Sequence, residues 1–211
     1  MTAYEHVMLG GTLGLAAGLH KRYGWNVIAL AGVAAALPDW DGLSILFGSE
    51  AYARAHRVWG HNLLVAGGMG AAIGILEQQT GIFRRICRAL SVKRASLAPA
   101  QRAPVEAPPA AVPSLTICVT AGFLASYSHL AADLVYSYGE GQPWPLPLLW
   151  PFSSRSWVIP ILRWGDLGAT LIFIVEMFAL YRWPSRAQSI AWLTLSAVMA
   201  YVGARWCISA I

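Results

Sequence analysis

The sequence predicts an all-α fold, a polytopic membrane bundle of about six helices forming one domain over residues 1–211. Three observations lead there. Of the 211 residues, 57% are hydrophobic and only 12% charged, against roughly 45–50% and about 25% in an ordinary soluble domain. The apolar residues gather into six runs, at 7–19, 25–37, 62–83, 115–136, 167–183 and 190–209. Ten Trp and eight Tyr add amphipathic rings that favour membrane interfaces. Together these features disfavour a disordered or water-soluble chain.

The runs at 7–19 and 25–37 are shorter than the ~17–25 residues that cross hydrocarbon, so they are expected to be tilted or sheltered by neighbours. The four later runs approach or exceed that length. Gly67, Gly68, Gly70 and Gly74 in the third run would let another helix approach closely. The N-terminus lacks the basic segment and cleavage site of a secretory signal, so the first run is expected to remain in the mature protein. Cys87, Cys118 and Cys207 are isolated, which predicts buried thiols without disulfide or thiolate metal site.

Segment 84–114 carries Arg84, Arg85, Arg88, Lys93, Arg94 and Arg102, followed by Pro104, Pro108, Pro109 and Pro113. This pattern predicts a basic turn and then a flexible loop. The positive-inside rule makes that loop cytoplasmic. Nucleic-acid binding is disfavoured, because the run has neither interleaved aromatic residues nor a recognisable binding fold. Six alternating helices would put Lys21, Arg22, Arg182 and Arg186 on the same cytoplasmic side, with both termini opposite. They would also bring His6, Asp39, His56, His61, His129 and Asp166 to the outer helix ends, with Asp133 one turn beyond His129.

Ser128-His129-Leu130-Ala131-Ala132-Asp133 places a His and an Asp on one face of an apolar helix. Such groups need a partner, and either metal ligation or a packing hydrogen bond satisfies this motif alone. Asp39 and Asp41 end the second run in a Pro-containing turn, where carboxylates can bind an ion or simply cap a helix. His56 and His61 would splay by about 140° around a continuous helix. They are therefore expected from a loop and from the first turn of the third helix. Arg57 between them suits an anionic group or an ion pair. His6, just ahead of the first run, is a further candidate ligand, the alternative being a free surface histidine near a terminus. His20 beside Lys21 and Arg22 sits in a cationic setting and is left out. Imidazoles and carboxylates together suit zinc, with manganese or iron as alternatives, and one or more ions. Asp39 could bridge two ions, while Arg57 offsets developing negative charge.

Taken in order, His6, Leu37-Pro38-Asp39-Trp40-Asp41, His56-Arg57 with His61, Ser128-His129 with Asp133, Leu148-Leu149-Trp150-Pro151-Phe152, and Asp166 resemble the YdjM-type family of membrane-bound metal-dependent hydrolases. The likeness covers most of the chain. That family is similar in turn to the all-helical, zinc-dependent bacterial phospholipase C enzymes. The resemblance implies His6, Asp39, His56, His61, His129 and Asp133 as metal ligands, with Asp41 and Asp166 as supporting or additional ones and Ser128 supporting His129. It also implies phosphoester hydrolysis with Asp39, Asp41 and Arg57 in catalytic roles. The substrate would be a phospholipid or lipid-linked phosphate, in a bacterial or archaeal cytoplasmic membrane. A non-enzymatic protein with a structural metal, or one that relays metal ions or protons, is the alternative. Residues 143–152 hold no ionisable group and are expected to form a rigid outer loop that covers the site or meets the membrane surface, with Trp144, Trp150 and Trp157 anchoring the interface. No feature of the sequence sets the oligomeric state.

Overall fold

The structure is a computed structural model, and it describes residues 1–96, 111–139 and 142–209. Helix α1 (Ala3–Ala16) opens on a capping box, in which the Thr2 hydroxyl accepts from the Glu5 N–H and the Glu5 carboxylate accepts from the Thr2 N–H. α2 (Leu19–Tyr23) and α3 (Trp25–Ala36) each follow a glycine in the left-handed region, Gly18 and Gly24. α3 tightens at Pro38 into a 3-10 segment, Leu37–Phe47, and α4 (Ser49–Ala55) follows. Asn62 caps α5 (Leu63–Thr80), and α6 (Ile82–Ser96) turns away from it. Ser114 caps α7 (Leu115–Val135), and Asp166 caps α8 (Leu167–Arg182). α9 (Ala187–Ser209) closes the described chain. A short antiparallel pair, β1 (Tyr138–Gly139) and β2 (Gln142–Pro143), sits between α7 and α8.

Each of the six apolar runs lies largely in a helix, and the fold is all-α as expected. Among the described residues, three stretches are long and apolar enough to cross a membrane, Trp25–Phe47, Leu115–Val135 and Pro184–Ile208. Six crossings are therefore not confirmed. α8 stops at 16 residues, and α5 carries Glu77, Gln78 and Gln79 in its last turn. The basic segment also departs from expectation, because its first part is helix α6 instead of a turn. Ile82, Ile86 and Leu90 recur every four residues there and stand exposed, while Arg84, Arg85 and Arg88 occupy another side. The flexible loop expected beyond it falls at 97–110, outside the described residues. All three cysteines are free, but only Cys118 is buried, and Cys207 is exposed on α9.

Glycine governs the packing of α5 on α7. A Cβ on Gly70 would stand 2.4 Å from the Gly122 carbonyl oxygen, and one on Gly122 would stand 2.2 Å from that of Gly70. Gly74 meets the Cys118 carbonyl in the same way, whereas Gly68 faces open space. α1 and α3 approach similarly at Gly10 and Ala31, the close small-residue contact usual between membrane helices. Gly70→Ala is accordingly expected to cost about 1–3 kcal/mol of stability. Gly68→Ala should be neutral or slightly stabilising. Thermal melting of the two variants in detergent checks the contrast.

Antiparallel alternation sorts the chain into two ends. One end gathers the start of α1, the 3-10 segment, the start of α5 and the end of α7. At the other, the Lys21 ammonium meets Gln188 Oε1 at 2.6 Å, near the α5–α6 and α8–α9 corners.

Candidate metal centre

The first end holds a buried group of imidazoles and carboxylates. His129 and Asp133 lie one turn apart on α7, and both are buried, as are His6 on α1 and His61 just before α5. His129 Nδ1 donates to the Ala35 carbonyl at 2.7 Å, which leaves Nε2 with its lone pair. His61 Nδ1 donates to Asp41 Oδ2 at 3.0 Å, which makes Nε2 the nitrogen that would meet an ion once its proton is displaced. The two Nε2 atoms then face each other at 3.0 Å. Asp39 Oδ1 lies 3.4 Å from His61 Nε2 and 3.6 Å from His129 Nε2. Asp133 Oδ2 lies 3.4 Å and 3.8 Å from the same two atoms. These separations bracket the edge of about 3.3 Å that a tetrahedron of 2.0–2.1 Å metal bonds would have. These donors could therefore hold a metal ion.

His6 flanks this set. Its ring stacks on His129 with centroids 3.5 Å apart, its Nε2 lies 3.1 Å from Asp133 Oδ1, and its Nδ1 is buried without a hydrogen-bond partner. The Met1 amino group also reaches Asp133 Oδ1, at 2.5 Å. Three groupings of these residues could hold a metal ion: His6, His129 and Asp133; Asp39, His61 and His129; and Asp41, His56 and His61.

Asp41 is fully buried and fully engaged. It accepts from His56 Nδ1 at 2.9 Å, from His61 Nδ1 at 3.0 Å and from the Gly60 N–H at 2.9 Å. Gly60 is required there, because a Cβ would stand 1.9 Å from the Pro38 carbonyl oxygen. Asp41 thus orients two imidazoles at once. Arg57 sits in the left-handed region, φ 63°, and is buried. Its Nη2 donates to the Asp133 carbonyl at 2.9 Å and to Asp133 Oδ2 at 3.0 Å. Its Nε has no hydrogen-bond partner, and its guanidinium lies 5.9 Å from the centroid of the Trp144 ring. A cavity of about 220 Å³ opens beside these groups, lined by Asp39, His56, Arg57, Asp133, Trp144 and Trp164 among others.

A family model described as YdjM inner membrane protein matches residues 1–211. The chain belongs to the YdjM inner membrane protein family. Its full-length match agrees with the resemblance carried by the ordered motifs. No curated protein and no solved structure matches the chain.

Within this YdjM-family chain, six of the expected ligands come together: His6, Asp39, His56, His61, His129 and Asp133. Asp166 does not join them. Its Oδ1 accepts from the Gly168 N–H at 2.9 Å and from the Tyr201 hydroxyl at 2.6 Å, and its Oδ2 pairs with Arg205 at 3.3 Å. Its place at the helix end reflects capping, not ligation. Asp166→Ala should leave metal content unchanged while costing about 0.5–2 kcal/mol for the lost cap, measured by elemental analysis and melting. Ser128 is a second correction, since its hydroxyl donates to the Ala125 carbonyl at 2.7 Å within its own helix. Trp144, from the loop expected outside the helices, lines the cavity. Sequence patterns carried no signal for the Ala35 carbonyl or the Gly60 N–H, since backbone groups are common to every residue.

Burial opposes a charge on His61, yet its hydrogen bonds to Asp133, Asp39 and Asp41 outweigh this and push the imidazole up to about 10. The YdjM-family centre therefore attracts positive charge. A metal ion bound there would displace a proton from His61, so its affinity should rise about tenfold per pH unit across the neutral range, with one proton released per ion. Titration calorimetry in buffers of differing ionisation enthalpy counts that proton.

Proposed function

We propose that this protein is a membrane-bound, zinc-dependent hydrolase that cleaves a phosphoester, with a phospholipid or lipid-linked phosphate as substrate. The observation that carries the reading is the approach of two carboxylate oxygens to two facing imidazole nitrogens, with nitrogen–nitrogen and nitrogen–oxygen separations of 3.0–3.8 Å, beside a cavity that Asp39, Asp133 and Arg57 line. Mixed nitrogen and oxygen donors without a thiolate suit zinc. Asp39, His61, His129 and Asp133 would hold the ion, with His6 adjacent. When bound, it supplies Lewis acidity toward water and a phosphoryl oxygen.

The chain's own residues supply the rest. The Ala35 carbonyl and Asp41 hold the imidazoles of His129 and His61 in one tautomer. His56, steadied by Asp41 at the cavity wall, is placed to hold a proton for a departing oxygen. Arg57 brings positive charge to the same wall, suited to a phosphate oxygen. The similarity to phospholipase C enzymes, read from the motifs, supports the phosphoester. The position of the centre at the bundle end away from the arginine-rich corner supports, by the positive-inside rule, our reading of a site on the non-cytoplasmic face, in a bacterial or archaeal cytoplasmic membrane.

Detergent-purified protein tests this reading by elemental analysis followed by hydrolysis of bis(p-nitrophenyl) phosphate and of phospholipid. The expected result is zinc near one or more equivalents per chain, with activity lost on chelation and restored by zinc. The second reading, a structural metal or an ion relay, is favoured by one feature: Arg57 already pairs with Asp133. Stoichiometric metal with no hydrolysis of either phosphoester would select it.

A further inference from the structure

The opposite end of the bundle contains a second polar cavity, of about 630 Å³, between the start of α3 and the α5–α6 corner. Trp25, Asn26, Thr80, Arg84, Arg85 and Arg88 are among the residues around it. α3 starts at Gly24 without a side-chain cap, so its first backbone N–H groups and the positive end of its dipole are available to an acceptor. Asn26, in that first turn, is only 7% exposed, yet its Nδ2 has no hydrogen-bond partner. A buried donor of this kind is costly unless an acceptor meets it. Arg84 and Arg88 are one turn apart on α6 and border the same space. Glu77, fully buried, holds Arg84 through Nε at 3.2 Å and accepts from the Phe83 N–H at 2.8 Å. The carboxylate thereby ties Arg84 and the start of α6 to the corner.

We propose that this cavity binds a phosphate group carried on an anionic lipid. Donors border it from α3 and α6, namely Asn26 and the arginines, as a phosphate with several acceptor oxygens requires. α6 identifies the source. Its exposed Ile82, Ile86 and Leu90 and its arginines on another side are the arrangement of a helix lying in the headgroup layer. The cavity thus sits where a lipid phosphate would arrive, at the end of the bundle remote from the metal centre.

The test uses the full chain in detergent at fixed ionic strength. Thermal melting is followed against dihexanoyl phosphatidylglycerol, dihexanoyl phosphatidylcholine and inorganic phosphate. Phosphatidylglycerol should raise Tm in a saturable manner and phosphatidylcholine should not. The double variant Arg85→Gln with Arg88→Gln should melt normally without lipid but need about tenfold more phosphatidylglycerol for half-saturation. Asn26→Ala should weaken binding in the same direction, which keeps the site testable if the arginine variant folds poorly. Saturation by inorganic phosphate at the same concentration as phosphatidylglycerol would overturn the lipid source in favour of free phosphate. Equal responses to the two lipids, or unchanged half-saturation in both variants, would overturn the site.

Discussion

His129→Ala is expected to abolish stoichiometric metal binding, with hydrolysis falling alongside it. His129 Nε2 stands within 3.0–3.8 Å of three other donors, His61 Nε2, Asp39 Oδ1 and Asp133 Oδ2, so its loss opens one corner of the donor set. No neighbouring group is placed to substitute, since the His6 ring is stacked face to face on it. Asp41→Asn makes the informative comparison. Asp41 acts through His61 and His56, so its change should weaken metal affinity by about 10–100-fold without eliminating the site. Elemental analysis of both variants after dialysis against a weak chelator separates the two levels. Equal metal content in wild type and His129→Ala would exclude the centre described here.

Arg57→Gln should lower both stability and turnover. The variant leaves Asp133 without its guanidinium partner, and breaking a buried pair from one side costs about 3–5 kcal/mol. Asp133 keeps contacts with the Met1 amino group, His6 and His61, which places the loss toward the lower figure. If Arg57 also meets the substrate phosphate, kcat should drop by roughly 10²–10³ in assays run well below the lowered Tm. Metal content is the control. A variant that binds metal normally and turns over at the wild-type rate would remove Arg57 from the reaction and leave it as a structural cation.

Some of this was legible locally. Apolar runs and Gly, Ser, Asn and Asp caps act over a few residues, and so the helices at 63–80, 115–135 and 167–182 follow the sequence closely. The pair His129 and Asp133 was equally readable, because four residues of α-helix put both on one face whatever surrounds it. The basic residues of 84–94 were visible but their conformation was not. Charge dominated the pattern, while the recurrence of Ile82, Ile86 and Leu90 marked the helix that formed.

The sequence by itself determined an apolar helical chain, the residue types of the centre and the face on which His129 and Asp133 lie. The tertiary structure alone decided which imidazole nitrogens meet, because the Ala35 carbonyl and the Asp41 carboxylate that orient them come from distant parts of the chain. It likewise separated Asp166 from the centre by engaging it with Gly168, Tyr201 and Arg205. The physical reason is the range of the forces involved. Periodicity and capping act within a turn or two, whereas ligand geometry depends on how closely whole helices pack, here set by the contact of Gly70 with Gly122.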